Sequence, residues 1–519
     1  MITSGDNSLP ESLYAADVVR AMDRFLIDGG HVPGFELMQR AAGAAFRQLV
    51  RLWPEPGALL VLCGPGNNGG DGYLVAASAQ RHGLGVCCLA LTDPNRLQGD
   101  ARQAWQTAVN DGVVIHRLEE LDDEAVEQLF RDAGVIVDAM LGTGASGAPR
   151  DVFASMISRC NDASAPILAV DVPSGLDATT GFAAGVAIQA AATVTFIGLK
   201  AGLFTGQGPA CSGAVLFDAL VDEMMLDGFD GLPVARRIDW LLAQGRLPVR
   251  SASAHKGHFG HLLIVAGDRG FGGAGLLAAE AAARSGAGLV TLATRAEHMA
   301  PALARCPSVM VQGVTHGSEL APLLQRASTV VCGPGLGQLA WGQQMLQQVL
   351  TGQQPKVLDA DALNLLAQRV PVRAENHILT PHPGEAARLL GITVAEVEAD
   401  RLAAATAIQR KYGGVVLLKG AGTVVASEGG CSIVGGANPG MATGGMGDVL
   451  SGIIGALLAQ VRAVDLAAEL GATLHLACAN RASEQLGYMG LTPGDVIDRL
   501  PSVLCEAEAR LEQTGCGSK

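Results

Sequence analysis

The sequence predicts two doubly wound α/β domains in tandem, and three observations carry that reading. The chain has 519 residues, too many for one ordinary core at roughly 150 residues per domain. Short apolar runs alternate with amphipathic stretches along most of its length, the pattern of a parallel sheet covered by helices. The alternation fades once, between 221 and 250, where Asp222, Gly228, Gly231, Pro233 and Pro248 gather, as punctuating residues do between domains. Domains are therefore expected at 1–225 and 246–519, with a linker at 226–245.

Composition narrows the function. Hydrophobic residues make up 49% and charged residues 17%, with a mean hydropathy of +0.29, so the chain has ample apolar material for its cores and is not intrinsically disordered. Aromatics are only 4% and glycines number 68, which implies an Ala/Leu/Val core with tight turns of the kind that cradle phosphate. No apolar run reaches the roughly 18 residues of a membrane helix, and the first ten residues are polar and acidic rather than signal-like. A cytoplasmic protein is expected. The eleven cysteines show no CxxC pair, which favours reduced structural thiols over disulfides or zinc. A net charge of −14 argues against nucleic acid or an anionic membrane as partner. It leaves room for a small anionic ligand, because backbone amides bind phosphate without any net positive charge.

In the first half, helical patterns within 10–53, the second at 35–52, are expected to cap a sheet with strands at 58–63, 84–91, 134–139, 166–170 and 192–197. The first strand runs into Gly64-Pro-Gly-Asn67-Asn68-Gly69-Gly70-Asp71-Gly72, which opens a helix. Such a loop puts free amides and a positive dipole end where a phosphate can sit. Asn67, Asn68 and Asp71 add side-chain oxygens that a tight turn does not require, although a turn remains the competing reading for Gly64 and Gly66. Two later strands also end in polar loops, one with Asp138 and Gly142-Thr143-Gly144, the other with Asp171, Ser174 and Asp177. In an open α/β sheet, loops at strand carboxyl ends share one crevice. A carboxylate directly after an apolar strand is costly unless paired, metal-bound or catalytic. An Asp that merely caps the next helix is the alternative.

These segments, together with Gly198-Leu-Lys200-Ala-Gly202, resemble the YjeF N-terminal domain, a Rossmann-like epimerase of hydrated nicotinamide dinucleotides. The match runs over about 16–221. The resemblance implies that Asn67, Asn68, Gly69, Gly70 and Asp71, with Gly142, Thr143, Gly144, Ala145, Ser146, Gly147 and Ala148, bind the dinucleotide. It implies that Asn68, Asp138 and Ser174 hold a potassium ion, an all-oxygen set suited to a hard cation, and that Asp171 is catalytic. Lys200 is a further candidate for proton transfer.

The second half shows apolar runs at 259–266, 288–293, 329–332, 356–358, 377–380 and 415–419, expected to form a second parallel sheet. Four of them end in loops rich in chemistry: 332–337 with Gly335, 359–364 with Asp359 and Asp361, 380–385 with His382 and Glu385, and 418–423 with Lys419. Further on, Thr443-Gly-Gly-Met-Gly447-Asp448 precedes an apolar helix. The glycines make an anion cradle, and Asp448 is placed to take a proton from a hydroxyl held beside it. Asp448 as a simple dipole partner of its helix is the bland alternative.

This set, with His255-Lys-Gly-His-Phe-Gly260 and Ala266-Gly-Asp268, resembles the ribokinase-like superfamily and, within it, the C-terminal YjeF dehydratase over about 246–512. The resemblance implies that Ala266, Gly335, His382 and Asp448 contact the S form of hydrated NADH or NADPH (NADHX, NADPHX). It implies that Lys419, Gly420, Ala421, Gly422, Thr423 and Gly447 contact ADP, with Mg²⁺ as cofactor. A homo-oligomer is expected. The competing function is a ribokinase-like kinase of a vitamin precursor, fused to a non-catalytic nucleotide-binding module.

Overall fold

The computed structural model describes residues 9–145 and 147–515, and the chain forms two compact units, one ending at Arg236 and the other starting at Arg237. The division falls inside 226–245, but that segment is not a free linker. It carries the strand Ala235–Ile238 and the short helix Trp240–Ala243, because Ala235 and Ile238 are buried and Asp239 accepts from Leu242 N to cap the helix.

The first unit holds a seven-stranded sheet in the order Val114–Arg117, Val86–Ala90, Ala58–Cys63, Ala133–Ala139, Ile167–Val170, Ala192–Phe196 and Ala214–Asp218. Every neighbouring pair is parallel. Its two edge strands are absent from the sequence reading, since both are short and only partly buried. The continuous apolar run at 58–63 reflects burial on both faces. Leu59, Val61 and Cys63 enter one core with Leu37, Ala41, Ala45 and Leu49 of the helix Gly34–Leu52, while Leu60 and Leu62 enter another with Ile136 and Ile157.

In the second unit, seven parallel strands run in the order Met310–Gly313, Leu289–Thr294, His261–Val265, Thr329–Cys332, Lys356–Leu358, His377–Leu379 and Val415–Leu418. The expectation of a wholly parallel sheet needs correction. Val424–Ser427 and Gly430–Val434 continue it as an antiparallel hairpin, because a turn of only two residues, Glu428 and Gly429, cannot make a parallel crossover. The helix Met446–Val461 is buried almost all round. Gly452 lets it approach its neighbour Gly272–Arg284, since a Cβ there would stand 2.1 Å from Ala278 O.

Each sheet reverses strand order once, between Ala58–Cys63 and Ala133–Ala139 in the first unit and between His261–Val265 and Thr329–Cys332 in the second. Loops leaving adjacent strands at such a point diverge and leave a crevice for ligand. Among the described residues, no helix is long and apolar enough to cross a membrane.

Candidate functional site

At the first unit's switch point lies a cavity of about 500 Å³. The loops after Ala58–Cys63 and Ala133–Ala139 meet there so closely that a Cβ on Gly64 would stand 1.8 Å from Met140 O, which explains the glycine. That approach sets the helix Asn67–Arg81 so that Asn68 Nδ2 donates to Leu141 O at 3.1 Å. Asn67, Asn68, Asp71, Gly142, Thr143, Gly144, Ala145 and Asp171 all line the cavity. Gly69 and Gly70 do not, and have packing reasons instead: added Cβ atoms would stand 2.1 Å from Gly64 O and 2.8 Å from Met38 Sδ. Gly147 and Ala148 are exposed and lie off the cavity wall. Ser146 falls outside the described residues.

Asp171 sits in the left-handed backbone region at φ 67°, a conformation that costs a non-glycine residue energy and persists where surroundings enforce it. Its Oδ1 accepts from Lys200 Nζ, from Thr195 Oγ1 at 3.2 Å and from Phe196 N at 3.4 Å. Lys200 is 1% exposed and also donates to Phe196 O at 3.0 Å. Carboxylate and ammonium thus form a fixed ion pair on the cavity wall.

Behind the wall, Asp138 is fully buried. It accepts from Ser174 Oγ at 2.6 Å, Ser174 N at 2.8 Å and Met140 N at 3.2 Å. Among the described residues it has no cationic partner, and burial pushes its carboxyl up to about 6 against the pull of these donors. Asn68 Oδ1 is buried without a hydrogen-bond partner. An orphan amide oxygen, a buried carboxylate, a serine hydroxyl and Leu141 O, which Asn68 Nδ2 and Ser174 Oγ share, make an oxygen donor set that fits a hard monovalent cation.

Five strand ends interlock in the second unit. Gly267 N donates to Pro334 O and Asp268 N to Gly335 O, joining the loops of Ala266 and Gly335. Lys419 N donates to Pro381 O, which brings Lys419 beside the His382 loop. At the centre is Asp359, 1% exposed, accepting from Lys419 Nζ at 2.7 Å, Thr380 Oγ1 at 2.8 Å and Ser451 Oγ at 2.8 Å. Glu385 lies 3.7 Å from Lys419 Nζ and caps its own helix by accepting from His382 N. Gly447 opens onto this cluster: a Cβ there would stand 3.3 Å from Lys419 Nζ and 3.7 Å from Asp359 Oδ2.

Asp448 follows in the first turn of the helix Met446–Val461. Burial and the Asp359 carboxylate push its pKa up to about 7, against the opposing pull of Lys419. Burial alone would pull the Lys419 ammonium down, but Asp359 and Glu385 outweigh it and keep it above its ordinary value. Lys419 is therefore charged and already paired, which the sequence reading of a lysine free for phosphate did not include. Gly420 and Ala421 are exposed at the strand end, while Gly422 is buried. Among the described residues no group of three His, Cys, Asp or Glu is placed to hold a metal ion. A divalent cation fits here only as Mg²⁺ held with the nucleotide, through its phosphates and water.

The family model described as YjeF-related protein N-terminus matches residues 34–202, and that described as NAD(P)H-hydrate dehydratase matches 262–502. The bifunctional NAD(P)H-hydrate repair enzyme Nnr of Coxiella burnetii is 44% identical over 490 residues, covering 94% of this chain and 98% of that protein. The chain belongs to the family of bifunctional NAD(P)H-hydrate repair enzymes. Its Escherichia coli K12 relative of the same description is 43% identical over 498 residues, covering 96% of this chain and 95% of that one. Among solved structures, the ADP/ATP-dependent NAD(P)H-hydrate dehydratase of Bacillus subtilis, co-crystallised with ATP/Mg²⁺, is 33% identical and covers 52% of this chain and 98% of its own, with a TM-score of 0.49.

Within this repair-enzyme chain the sequence reading misses Arg20 and Asp23, which reach the first cavity from the helix Ala16–Asp28, because charged residues on an amphipathic helix read as solvated surface. Asp359 and Glu385 stood in loops already singled out but received no role. The signal for Asp359 was available: like Asp138 and Asp171, it is a carboxylate directly after an apolar strand.

Proposed function

We propose that the first unit interconverts the R and S epimers of NADHX and NADPHX and that the second dehydrates the S epimer to NADH or NADPH, converting ADP to AMP and phosphate. The observation that carries this reading is the 44% identity running through both units to a repair enzyme. Asn67, Asn68, Asp71, Gly142, Thr143, Gly144 and Ala145 bind the dinucleotide in the first unit, and Asp171 moves the proton. Asn68, Asp138 and Ser174 hold potassium, which supplies the positive charge that the buried Asp138 lacks. In the second unit Ala266, Gly335, His382 and Asp448 face the hydrated ring, Asp448 as the base and not as a metal ligand, while the 419–423 strand end and Gly447 face ADP, whose phosphates with water would hold Mg²⁺. The protein is taken to be cytoplasmic and a homo-oligomer.

Hydroxide is a poor leaving group, and the chemistry follows from that. Asp448 takes the proton of the ring hydroxyl, whose oxygen attacks the β-phosphorus of ADP as AMP leaves. Phosphate then departs from the ring carbon and the neighbouring carbon loses a proton, which restores the double bond. Amides of the 444–447 turn and the Lys419 ammonium stabilise charge on the transferred group. Mg²⁺ bound with the nucleotide would supply further charge neutralisation there.

Incubating each separated epimer with the protein and ADP, or ATP, tests the reading. NADH and inorganic phosphate should form from the S epimer at once and from the R epimer after inversion. A stable phosphomonoester would make the second unit a kinase.

A further inference from the structure

The helix Ala16–Asp28 precedes the stretch matched by the family model, which begins at residue 34, yet it forms part of the first cavity's wall through Arg20 and Asp23. Arg20 Nη1 donates to Thr143 O, so the helix is tied to the lip of the dinucleotide loop. Asp23 faces the same cavity as Asp171 and Lys200. Among the described residues its carboxyl makes no hydrogen bond and no ion pair, whereas Asp171 is locked to Lys200. Asp23 and Asp171 thus stand on different elements of one chamber, one unpaired and one paired, and Asp71 and Asp100 border the same chamber.

Inversion at a carbon bonded to both nitrogen and oxygen needs two proton transfers. The C–O bond breaks as the hydroxyl receives a proton and leaves as water, the ring nitrogen's lone pair making an iminium ion. Water then re-forms the C–O bond on the other face of the ring and gives up a proton. Atoms and charge balance over the cycle, with no oxidant and no co-reactant beyond water. Donor and acceptor must reach opposite faces, so one carboxyl serves poorly and two on separate elements serve well.

We propose that Asp23 is a second catalytic residue of the epimerase site, giving the proton to the departing hydroxyl while Asp171 takes the proton of the returning water, and the reverse when the reaction runs backward. This rests on the epimerase reading of the first unit. The charges around Asp23 support the division of labour. Burial pushes its carboxyl up to about 6, Lys200 and Arg24 pull it down, and Asp171 pushes it further up. Asp71, on the same cavity, is likewise raised, first by burial and then by Asp171 and Asp23. An acid of this kind is protonated below about pH 6 and loses its proton above it, so donation by Asp23 weakens as pH rises.

The full-length chain with Asp23→Asn or Asp23→Glu tests this, assayed as conversion of pure R epimer and, separately, as ADP-driven dehydration of pure S epimer. Asp23→Asn should lower kcat for epimerisation by about 10²-fold with little change in KM. The wild-type rate should fall above about pH 6, and Asp23→Asn should remove that fall. Asp23→Glu should recover part of the rate, and S-epimer dehydration should be unchanged by either. Wild-type epimerisation with an unaltered pH profile in Asp23→Asn would overturn the assignment, as would a change in KM alone, which belongs to a binding residue. Failure of the wild type itself to interconvert the epimers would remove the epimerase reading, a result distinct from a silent Asp23.

Discussion

Asp448, after a glycine-rich turn, and Asp171, after an apolar strand, are both carboxylates at a site, but the fold treats them differently. Asp171 is given an ammonium partner, whereas Asp448 is given a carboxylate neighbour and burial that hold its pKa near 7. A base must be ionised to accept a proton, so ADP-driven NADH formation should fall as pH drops through about 7. Asp448→Asn should lower the rate by about 10²–10⁴-fold and abolish that limb; initial rates of NADH formation across pH 5.5–8.5, a range chosen as roughly 1.5 units either side of that pKa, measure both. Asp171 was legible in the sequence because a carboxylate directly after an apolar strand is an expensive placement, and Asp448 because it opens a helix behind a glycine cradle. Asp23 was not: on a helix whose buried face is Ala16, Val19, Met22 and Leu26, nothing in the linear order distinguishes a charge facing a cavity from one facing solvent.

Among elements, the strand ends behave as assemblies and not as lone side chains. Lys419 pairs with Asp359, which is fixed by Thr380 and Ser451 as well, so Lys419→Ala leaves a buried carboxylate without its cation. A loss of about 3–5 kcal/mol in stability is expected, against roughly 0–1 kcal/mol for an exposed lysine; denaturant unfolding reads this. Because Lys419 pulls the Asp448 pKa down, its removal should also move the acid limb of the rate profile to higher pH.

The oxygen cluster around Asp138 gives a second element-scale expectation. Replacing potassium with tetramethylammonium should lower the unfolding temperature of the wild type by roughly 2–4 °C per kcal/mol of lost binding linkage, and Asn68→Ala should erase most of that difference. Equal unfolding temperatures in both salts would remove the cation from the site. The central strands of both sheets were legible as apolar runs. The edge strands Val114–Arg117 and Ala214–Asp218 were not, since half-buried strands of four or five residues carry too little alternation to stand out, and the hairpin at 424–434 was not, since its two strands are short and split by a two-residue turn. The glycines at 69 and 70 read as ligand contacts in the sequence, and the fold also packs them too closely for a Cβ, a requirement that a linear motif does not separate from phosphate binding.

For the whole molecule, a chain with two complete strand-end sites accounts for one substrate in two stereochemical forms: the second site consumes one epimer and the first replenishes it. The tandem α/β organisation was legible from the single break in alternation, although the break itself turned out to carry a strand and a helix. The division of labour predicts a stoichiometry that no single-site protein gives. A mixture of both NADHX epimers with excess ADP should be converted to NADH completely by the wild type. Asp171→Asn, with the second unit intact, should stop, apart from slow spontaneous inversion, once the S fraction is consumed. Following NADH absorbance to its plateau in these two proteins is the most direct test. A wild-type plateau at the S fraction, or a complete and equally fast conversion by Asp171→Asn, would contradict an epimerase in the first unit feeding a dehydratase in the second.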